Sequence, residues 1–163
     1  MSESKIKLLV VDDEVRFLTT LTQRLSLRDF AVTPVTSGPE ALDRAAEQEF
    51  DLALVDLKMP GMSGEEVLQR LKEDHPFIEV VILTGHGSID SAVTCTQAGS
   101  YSYLQKPCET NELLEVLKEA YKRRLQRLLA HDQEKMNELQ RVVVGESPLA
   151  ILKRLKELDR KRR

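Results

Sequence analysis

The sequence predicts an α/β fold, with a doubly wound five-stranded parallel sheet and an extended C-terminal helix. Five short apolar runs alternate with helix-like segments along the first 122 residues. Such alternation is typical of βα units arranged around a parallel sheet. Several runs are continuous in Val, Ile and Leu, as in strands that are buried on both faces. Four runs end in polar residues of different kinds, which predicts one shared site at the carboxyl ends of the strands.

The elements can be placed in order along the chain. We expect the strands near residues 6–11, 31–35, 51–55, 79–83 and 101–104, with helices between them. The second helix should begin near Ser37 and the third near Ser63. Each of these serines is followed three residues later by a glutamate, Glu40 and Glu66, which is the spacing of a capping box.

The last helix is expected to be unusually long. No glycine or proline occurs between Glu112 and Val144, so we predict one continuous helix over residues 110–144. Its distal apolar positions follow near-heptad spacing, with Asp132 at one seam position: Leu125, Leu129, Met136, Leu139 and Val143. Two interpretations stay open. The segment forms either a short coiled coil that makes a homodimer or a solvated helical linker.

The residues at the strand ends suggest phosphoryl chemistry. Asp12, Asp13 and Asp56 would repel one another unless a cation favoured their charged forms. Magnesium, which is typically held by one or two carboxylates together with phosphate oxygens, is the natural candidate. Asp56 stands alone after its strand and suits the role of nucleophile. Lys106 and Thr84 would supply the cation and the hydroxyl that stabilise phosphoryl oxygens.

Four segments together resemble the receiver domain of bacterial two-component response regulators. They agree with that family in order and spacing over residues 5–122, and they are Leu9–Glu14, Val55–Gly61, Leu83–Gly87 and Tyr103–Pro107. The resemblance implies a flavodoxin-like fold. It also implies that the chain takes a phosphoryl group from a sensor histidine kinase in a magnesium-dependent reaction.

The resemblance further assigns a role to each site residue. Asp56 would be the phosphoryl acceptor, and Thr84 and Lys106 would bind the phosphoryl oxygens. Tyr103 would be the aromatic switch residue that turns inward together with Thr84 on activation. The expected magnesium ligands are the carboxylates of Asp12, Asp13 and Asp56 and the carbonyl of Lys58.

Two segments are similar to one subfamily, the enhancer-binding response regulators that carry an AAA+ ATPase domain. These segments are Thr84–Asp90 and Val142–Leu149, the second of which resembles the entry into the ATPase domain. No Gly-x-x-x-x-Gly-Lys-Ser/Thr phosphate loop follows. We therefore expect either a natural single-receiver regulator or a fragment of a longer protein.

We predict three regions: a receiver domain at 1–122, a helical extension at 123–144 and a basic amphipathic tail at 145–163. From Lys122 onward thirteen basic residues face six acidic ones, a net charge of plus seven, whereas the first 121 residues carry minus ten. A basic tail can bind nucleic acid. Direct DNA binding is not supported, because aromatic interleaving, zinc spacing and sufficient length for a helix-turn-helix are missing.

The composition predicts a cytoplasmic protein that does not contact a membrane. No apolar stretch approaches the roughly 20 residues of a membrane span, and the N-terminus lacks a signal pattern. The two cysteines, Cys95 and Cys108, fit a reducing compartment.

We expect a switch rather than an enzyme. Phosphorylation of Asp56 would change a protein-interaction surface around the fourth helix and fifth strand, and the downstream protein target is left open. The alternative is a binding or adaptor module that uses the fold without phosphorylation. A phosphatase with an aspartyl intermediate is disfavoured, because Lys58 stands where a second acid would be needed.

Overall fold

The computed structural model describes residues 4–143, together with residues 153, 156–157 and 160–161. Most of the predicted tail at 145–163 lies outside the described residues, as do the side chains of Leu139 and Val143. Among the described helices, none combines the length and apolar character that crossing a membrane requires.

Five strands and five helices alternate along the described chain. In order they are β1 Ile6–Val11, α1 Val15–Ser26, β2 Phe30–Val35, α2 Gly38–Glu47, β3 Leu52–Val55, α3 Gly64–Asp74, β4 Glu79–Thr84, α4 Ile89–Gln97, β5 Ser102–Gln105 and α5 Thr110–Val143. The predicted strands agree with these bounds to within one residue at each end. The extended C-terminal helix is also confirmed.

The sheet is parallel throughout, with strand order β2-β1-β3-β4-β5. This is the flavodoxin-like order. The chain adds β2 on one side of β1 and then adds β3, β4 and β5 on the other side, so the strand order reverses between β1 and β3. In register, Val11 lies beside Val55, and Thr84 lies beside Gln105. The predicted doubly wound α/β fold is therefore confirmed.

Successive strand residues point alternately into two separate apolar cores, one on each face of the sheet. Along β1, Leu8 and Val10 pack on the face covered by α1 and the first turns of α5, whereas Leu9 and Val11 pack under α2, α3 and α4. The same alternation occurs in β3 and β4. Side chains in a strand point to opposite faces, so a strand covered on both sides must be apolar at every position. This explains the continuous apolar runs.

The predicted helix starts are correct, although the capping boxes are incomplete. The Ser37 hydroxyl accepts from the Glu40 N–H at 3.3 Å, and the Ser63 hydroxyl accepts from the Glu66 N–H at 3.3 Å. The Glu40 carboxylate accepts from the N–H of Thr36, one residue before the cap, rather than from Ser37 itself. A complete reciprocal box occurs instead at α4, between Ser88 and Ser91. A glutamate-based pattern misses it because a second serine takes the glutamate's place.

Two compact units are described separately: Met1–Arg124 and Leu125–Arg163. In the second unit, the α5 residues Leu125, Leu129 and Met136 expose large apolar side chains, and Leu129 is 69% exposed. The predicted division of the chain at residues 122 and 144 remains a prediction.

Within the first unit, Arg124 ties α5 to two loops at the amino end of the sheet, the loop before β3 and the loop before β4. Its Nε donates to Asp51 Oδ1 at 3.0 Å, one Nη donates to the Phe77 carbonyl at 2.9 Å, and the other donates to Glu49 Oε1 at 2.9 Å. Asp51 in turn accepts from the N–H of Lys7 at the start of β1. The guanidinium is buried, so its fork of donors is matched by acceptors, as a buried charge requires.

Candidate functional site

The site lies where β1 and β3 end side by side. Asp12 directly follows β1, and its N–H donates to the carbonyl of Val35 on β2 at 3.1 Å. Asp56 directly follows β3, and its N–H donates to the carbonyl of Val11 at 3.0 Å. The parallel ladder therefore continues one residue beyond the strands and fixes both aspartates at the position where the strand order reverses. Ligands of open α/β sheets bind at this position.

Three carboxylates converge there. Asp12, Asp13 and Asp56 each offer an oxygen, and these oxygens all lie within 4.8 Å of one another. Asp12 and Asp56 are buried, whereas Asp13 is accessible to solvent. Asp12 Oδ1 accepts from the Glu14 N–H at 2.9 Å. Asp56 Oδ1 is buried without a hydrogen-bond partner in the described part of the chain.

Lys106 supplies the positive charge beside this cluster. Its Nζ donates to Asp12 Oδ2 at 2.7 Å and lies 3.8 Å from Asp56 Oδ2 and 3.9 Å from Glu14 Oε1. Its side chain is only 14% exposed. The Lys106 N–H donates to the Thr84 carbonyl at 2.9 Å, so the end of β5 is tied to the end of β4. The peptide bond from Lys106 to Pro107 is cis.

The electrostatics of Asp12 are a balance of opposing effects. Burial raises the pKa of the Asp12 carboxyl above its ordinary value, and the neighbouring Asp56 charge raises it further. The hydrogen bond and charge of Lys106 and the Glu14 N–H lower it, but burial dominates. Without a metal, the cluster therefore disfavours the ionised form of Asp12. A bound cation would favour that ionised form.

The other predicted site residues differ in burial and in hydrogen-bond partners. Thr84, the last residue of β4, is fully buried, and its hydroxyl accepts from the N–H of His86 at 3.1 Å. Lys58 lies in the loop after β3 with an exposed side chain. Tyr103, on β5, packs against the core under α3 and α4, and its hydroxyl is 2.7 Å from the hydroxyl of Ser91. Tyr103 is thus connected to the capping box of α4.

Two residues that the sequence reasoning missed contribute to the site. Gly64 begins α3 against the backbone of Asp56, where a Cβ would overlap the Asp56 carbonyl oxygen. The phenyl ring of Phe17, on α1, lies 4.0 Å from Lys106 Nζ, measured to the ring centroid. Phe17 belongs to no recognisable motif, and the capping-box spacing around Gly64 marks a helix start but not a contact with Asp56, so linear spacing gave no signal for either role.

The donor set suits a hard divalent cation. Three carboxylates offer oxygen atoms close together, one buried oxygen lacks a partner among the described residues, and soft ligands are missing from the cluster. Such acidic pockets are typical of magnesium sites, since Mg²⁺ prefers oxygen ligands and keeps several waters. The residues present therefore fit the expected ion.

Comparison with known proteins identifies the class. Residues 8–118 match the family model of the response regulator receiver domain. The chain is 37% identical over 120 residues to the transcriptional regulatory protein ZraR of Klebsiella oxytoca, covering 74% of this chain and 27% of that protein. It is 31% identical over 146 residues to the DNA-binding transcriptional regulator NtrC of Klebsiella pneumoniae, covering 85% of this chain and 29% of that protein.

Among solved structures, a CheY-like receiver domain protein from Methanospirillum hungatei JF-1 superposes with a TM-score of 0.74 and 30% identity. The match covers 76% of this chain and 99% of that one. The chain belongs to the response regulator receiver family, whose members work in two-component signal transduction. It spans little more than a quarter of the length of the two transcriptional regulators. A receiver domain of such regulators is not in itself an enzyme.

Proposed function

We propose that this chain is a phosphoacceptor response regulator in which Asp56 takes a phosphoryl group from a sensor histidine kinase. The observation that carries the proposal is Asp56 Oδ1, a buried carboxylate oxygen without a partner among the described residues. Asp56 Oδ2 lies 3.8 Å from the Lys106 ammonium. A buried, unsatisfied polar atom costs free energy and therefore calls for an explanation, and we infer that this oxygen is the atom that would attack phosphorus.

In the proposed reaction, a carboxylate oxygen of Asp56 attacks the phosphorus of a phosphohistidine. The new O–P bond forms as the N–P bond breaks, and the electron pair of the broken bond returns to the imidazole nitrogen of the kinase. Lys106 and the hydroxyl of Thr84 would bind the phosphoryl oxygens, where charge must be stabilised during transfer. The hydrogen bond from the His86 N–H to the Thr84 oxygen orients that hydroxyl.

Magnesium would be held by the carboxylates of Asp12, Asp13 and Asp56 and by the carbonyl of Lys58. When bound, the ion would neutralise charge on the carboxylates and on the phosphoryl oxygens. The free thiols of Cys95 and Cys108 fit a cytoplasmic location for the reaction, where sensor kinases present their phosphohistidine.

The direct test is the substitution Asp56→Asn. The amide is a poor nucleophile and loses a charge that would hold the metal, so we expect no labelling by acetyl phosphate with magnesium, whereas the wild type gains one phosphoryl group. Intact-mass spectrometry measures this. Asp43→Asn, which changes an exposed aspartate on α2, is the matched control and should be labelled like the wild type. Undiminished labelling of the Asp56 variant would refute the assignment.

We further propose that phosphorylation alters the surface formed by α4 and β5. Thr84 lies at the end of β4, and the hydroxyl of Tyr103 is bonded to Ser91 in the first turn of α4. An inward turn of Tyr103 would break this bond and weaken the capping box. The start of α4 would then be free to change conformation, which biases an existing equilibrium rather than creating a new state.

For the C-terminal helix we propose a homodimer rather than a solvated linker. The supporting observation is the exposure of three large apolar side chains, Leu125, Leu129 and Met136, at the predicted seam. Their spacing of four and seven residues follows a heptad pattern, which lets such side chains be buried against a second copy. The half-buried Asp132 stands at another seam position and would keep the pairing weak.

A further inference from the structure

We propose that Phe17 is a positioning residue for Lys106, holding the ammonium group over the acidic cluster by a cation–π contact. The inference rests on the proposed function of Asp56 and deepens it. It concerns how the cation that meets the phosphoryl oxygens is kept in place before the phosphoryl group arrives.

The Lys106 ammonium has few hydrogen-bond partners among the described residues. A lysine ammonium has three N–H donors. Among the described residues, Asp12 alone lies within hydrogen-bond distance of Lys106 Nζ, at 2.7 Å, since Asp56 and Glu14 are 3.8 and 3.9 Å away. The fourth neighbour is the face of Phe17, whose centroid is 4.0 Å away. This distance is well inside the range in which a ring face attracts a cation.

Phe17 lies on α1 and packs against the apolar core that α1 and α5 share. It also lines a groove with the stem of Lys106 and with Leu21, Leu83 and Leu113. The partly buried ring therefore packs against this core and lies beside Lys106, whose side chain is only 14% exposed. A packed ring beside a flexible four-carbon stem restrains the charged end of the lysine.

The consequence concerns phosphorylation. Without the ring, Lys106 could turn toward the exposed Glu14 or toward water. Its ammonium would then have to return to Asp56 when negative charge builds up there during phosphoryl transfer. With the ring in place, the ammonium stays near both Asp12 and Asp56. Loss of the aromatic face should weaken binding of a phosphoryl mimic by about three- to tenfold, the range expected for a partly desolvated cation–π contact.

The first experiment compares beryllofluoride affinity at saturating magnesium for Phe17→Leu and Phe17→Tyr. Leucine keeps an apolar side chain but has no ring, so affinity should fall about three- to tenfold. Tyrosine keeps the ring face and should restore affinity to within about twofold of the wild type. An equal loss in both variants would indicate a packing role and overturn the proposal.

A double-mutant cycle then tests whether Phe17 acts through Lys106. In a Lys106→Met background, Phe17→Leu should cause no further loss of beryllofluoride affinity, because the cation that the ring positions is gone. An unchanged Phe17→Leu effect in that background would mean that the ring acts by another route, and would refute the inference.

A readout without any ligand separates this inference from the proposed function. In NMR spectra of the metal-free protein, the Lys106 side-chain protons next to Nζ should show a ring-current shift that Phe17→Leu abolishes and Phe17→Tyr retains. Tyr101→Leu, which removes the distant contact of that ring with Arg123, is the matched control and should leave the Lys106 shift and beryllofluoride affinity unchanged. If the wild type does not bind beryllofluoride but shows the Lys106 ring-current shift, the proposed function is refuted and the contact between Phe17 and Lys106 is supported. If the shift is missing, the positioning role fails.

Discussion

Asp12 carries a buried negative charge that the folded protein tolerates only in part. Burial raises the pKa of its carboxyl despite the hydrogen bond from Lys106. An acid whose pKa is higher in the folded state binds protons more tightly there than in the unfolded chain. Its contribution to stability is therefore most favourable below the unfolded pKa, near 3.8, and is lost as the pH rises through the folded value.

This balance predicts opposite effects of Asp12→Asn with and without metal. In metal-free buffer at pH 7, the variant should unfold at higher urea concentration than the wild type, and its advantage should shrink as the pH falls toward 3.8. Its magnesium affinity should fall by at least about tenfold, since even outer-shell partners of a metal contribute that much. Urea denaturation at pH 7 and pH 5 with magnesium titration measures both. A variant destabilised at pH 7 with unchanged magnesium affinity would indicate a structural role for Asp12.

The polar residues of the site were predictable because parallel strands bring all their carboxyl ends to one edge. Asp12, Asp56, Thr84 and Lys106 all stand at such ends, so a linear pattern was enough to place them at one edge of the sheet. Phe17 was not predictable. It stands in a helix 89 residues before its partner Lys106, and its role depends on how α1 lies against the end of β5.

At the scale of elements, the start of α4 is the part of the first unit best placed to respond to Thr84. Its first turn is held by the Ser88 and Ser91 capping box, and Ser91 also bonds to the Tyr103 hydroxyl. The backbone of Gly87 lies close to the Tyr103 hydroxyl. A Cβ at Gly87 would lie 2.8 Å from that oxygen. A movement of Tyr103 would therefore change both the cap and the loop before α4.

We expect Thr84→Ala to accept the phosphoryl group but to lose the response of α4. The variant keeps Asp56 and the acidic cluster, whereas the hydroxyl that would couple the phosphoryl oxygen to the loop of Gly85 is gone. NMR spectra recorded with and without beryllofluoride should show shifts at Tyr103 and Ser91 in the wild type and much smaller ones in the variant. Thr94→Ala, on the exposed side of α4, is the control and should respond normally. Equal shifts in all three proteins would exclude this coupling.

The Arg124 network is the element-scale feature with the clearest energetic consequence. Arg124→Met would leave Asp51 and the Phe77 carbonyl without their buried donor, so we expect a loss of about 2 to 4 kcal/mol in the free energy of unfolding. Lys118→Met, on the same helix, is the control: its side chain is 54% exposed, that of Asp29 is 71% exposed and their contact is 3.8 Å, so the cost should stay below about 1 kcal/mol. Chemical denaturation of both variants measures the difference, and similar losses would contradict the network's importance.

At the scale of elements, the helix caps could be predicted from the sequence, whereas the hydrogen bonds of Arg124 could not. The serine caps of α2 and α3 follow from local spacing, and the structure confirms both helix starts. The bond between Arg124 and Asp51 joins residues 73 positions apart. Periodicity indicates that a helix continues through Arg124, but it does not indicate that one turn of this helix is tied to two distant loops.

At the scale of the whole molecule, the proposed dimer depends on the residues after Arg124. A chain that ends at residue 124 should remain a folded, phosphorylatable monomer, because the first compact unit and the Arg124 contacts are retained. The full chain should self-associate weakly, and more strongly with beryllofluoride if phosphorylation shifts the equilibrium. Sedimentation equilibrium of both chains, each with and without beryllofluoride, provides the test. Identical monomer masses in all four samples would leave the helix as a linker.

The buried guanidinium of Arg124 also has a consequence for how this receiver can be fused to other proteins. Its acceptors all belong to the loops and strand starts of the first unit, so the domain needs this one helical turn whatever sequence comes after it. A gene fusion joined beyond codon 124 keeps the full set of bonds, and a crossover a few codons earlier discards them. Fusions of this receiver to other proteins are therefore expected to be more stable when the junction lies after this arginine.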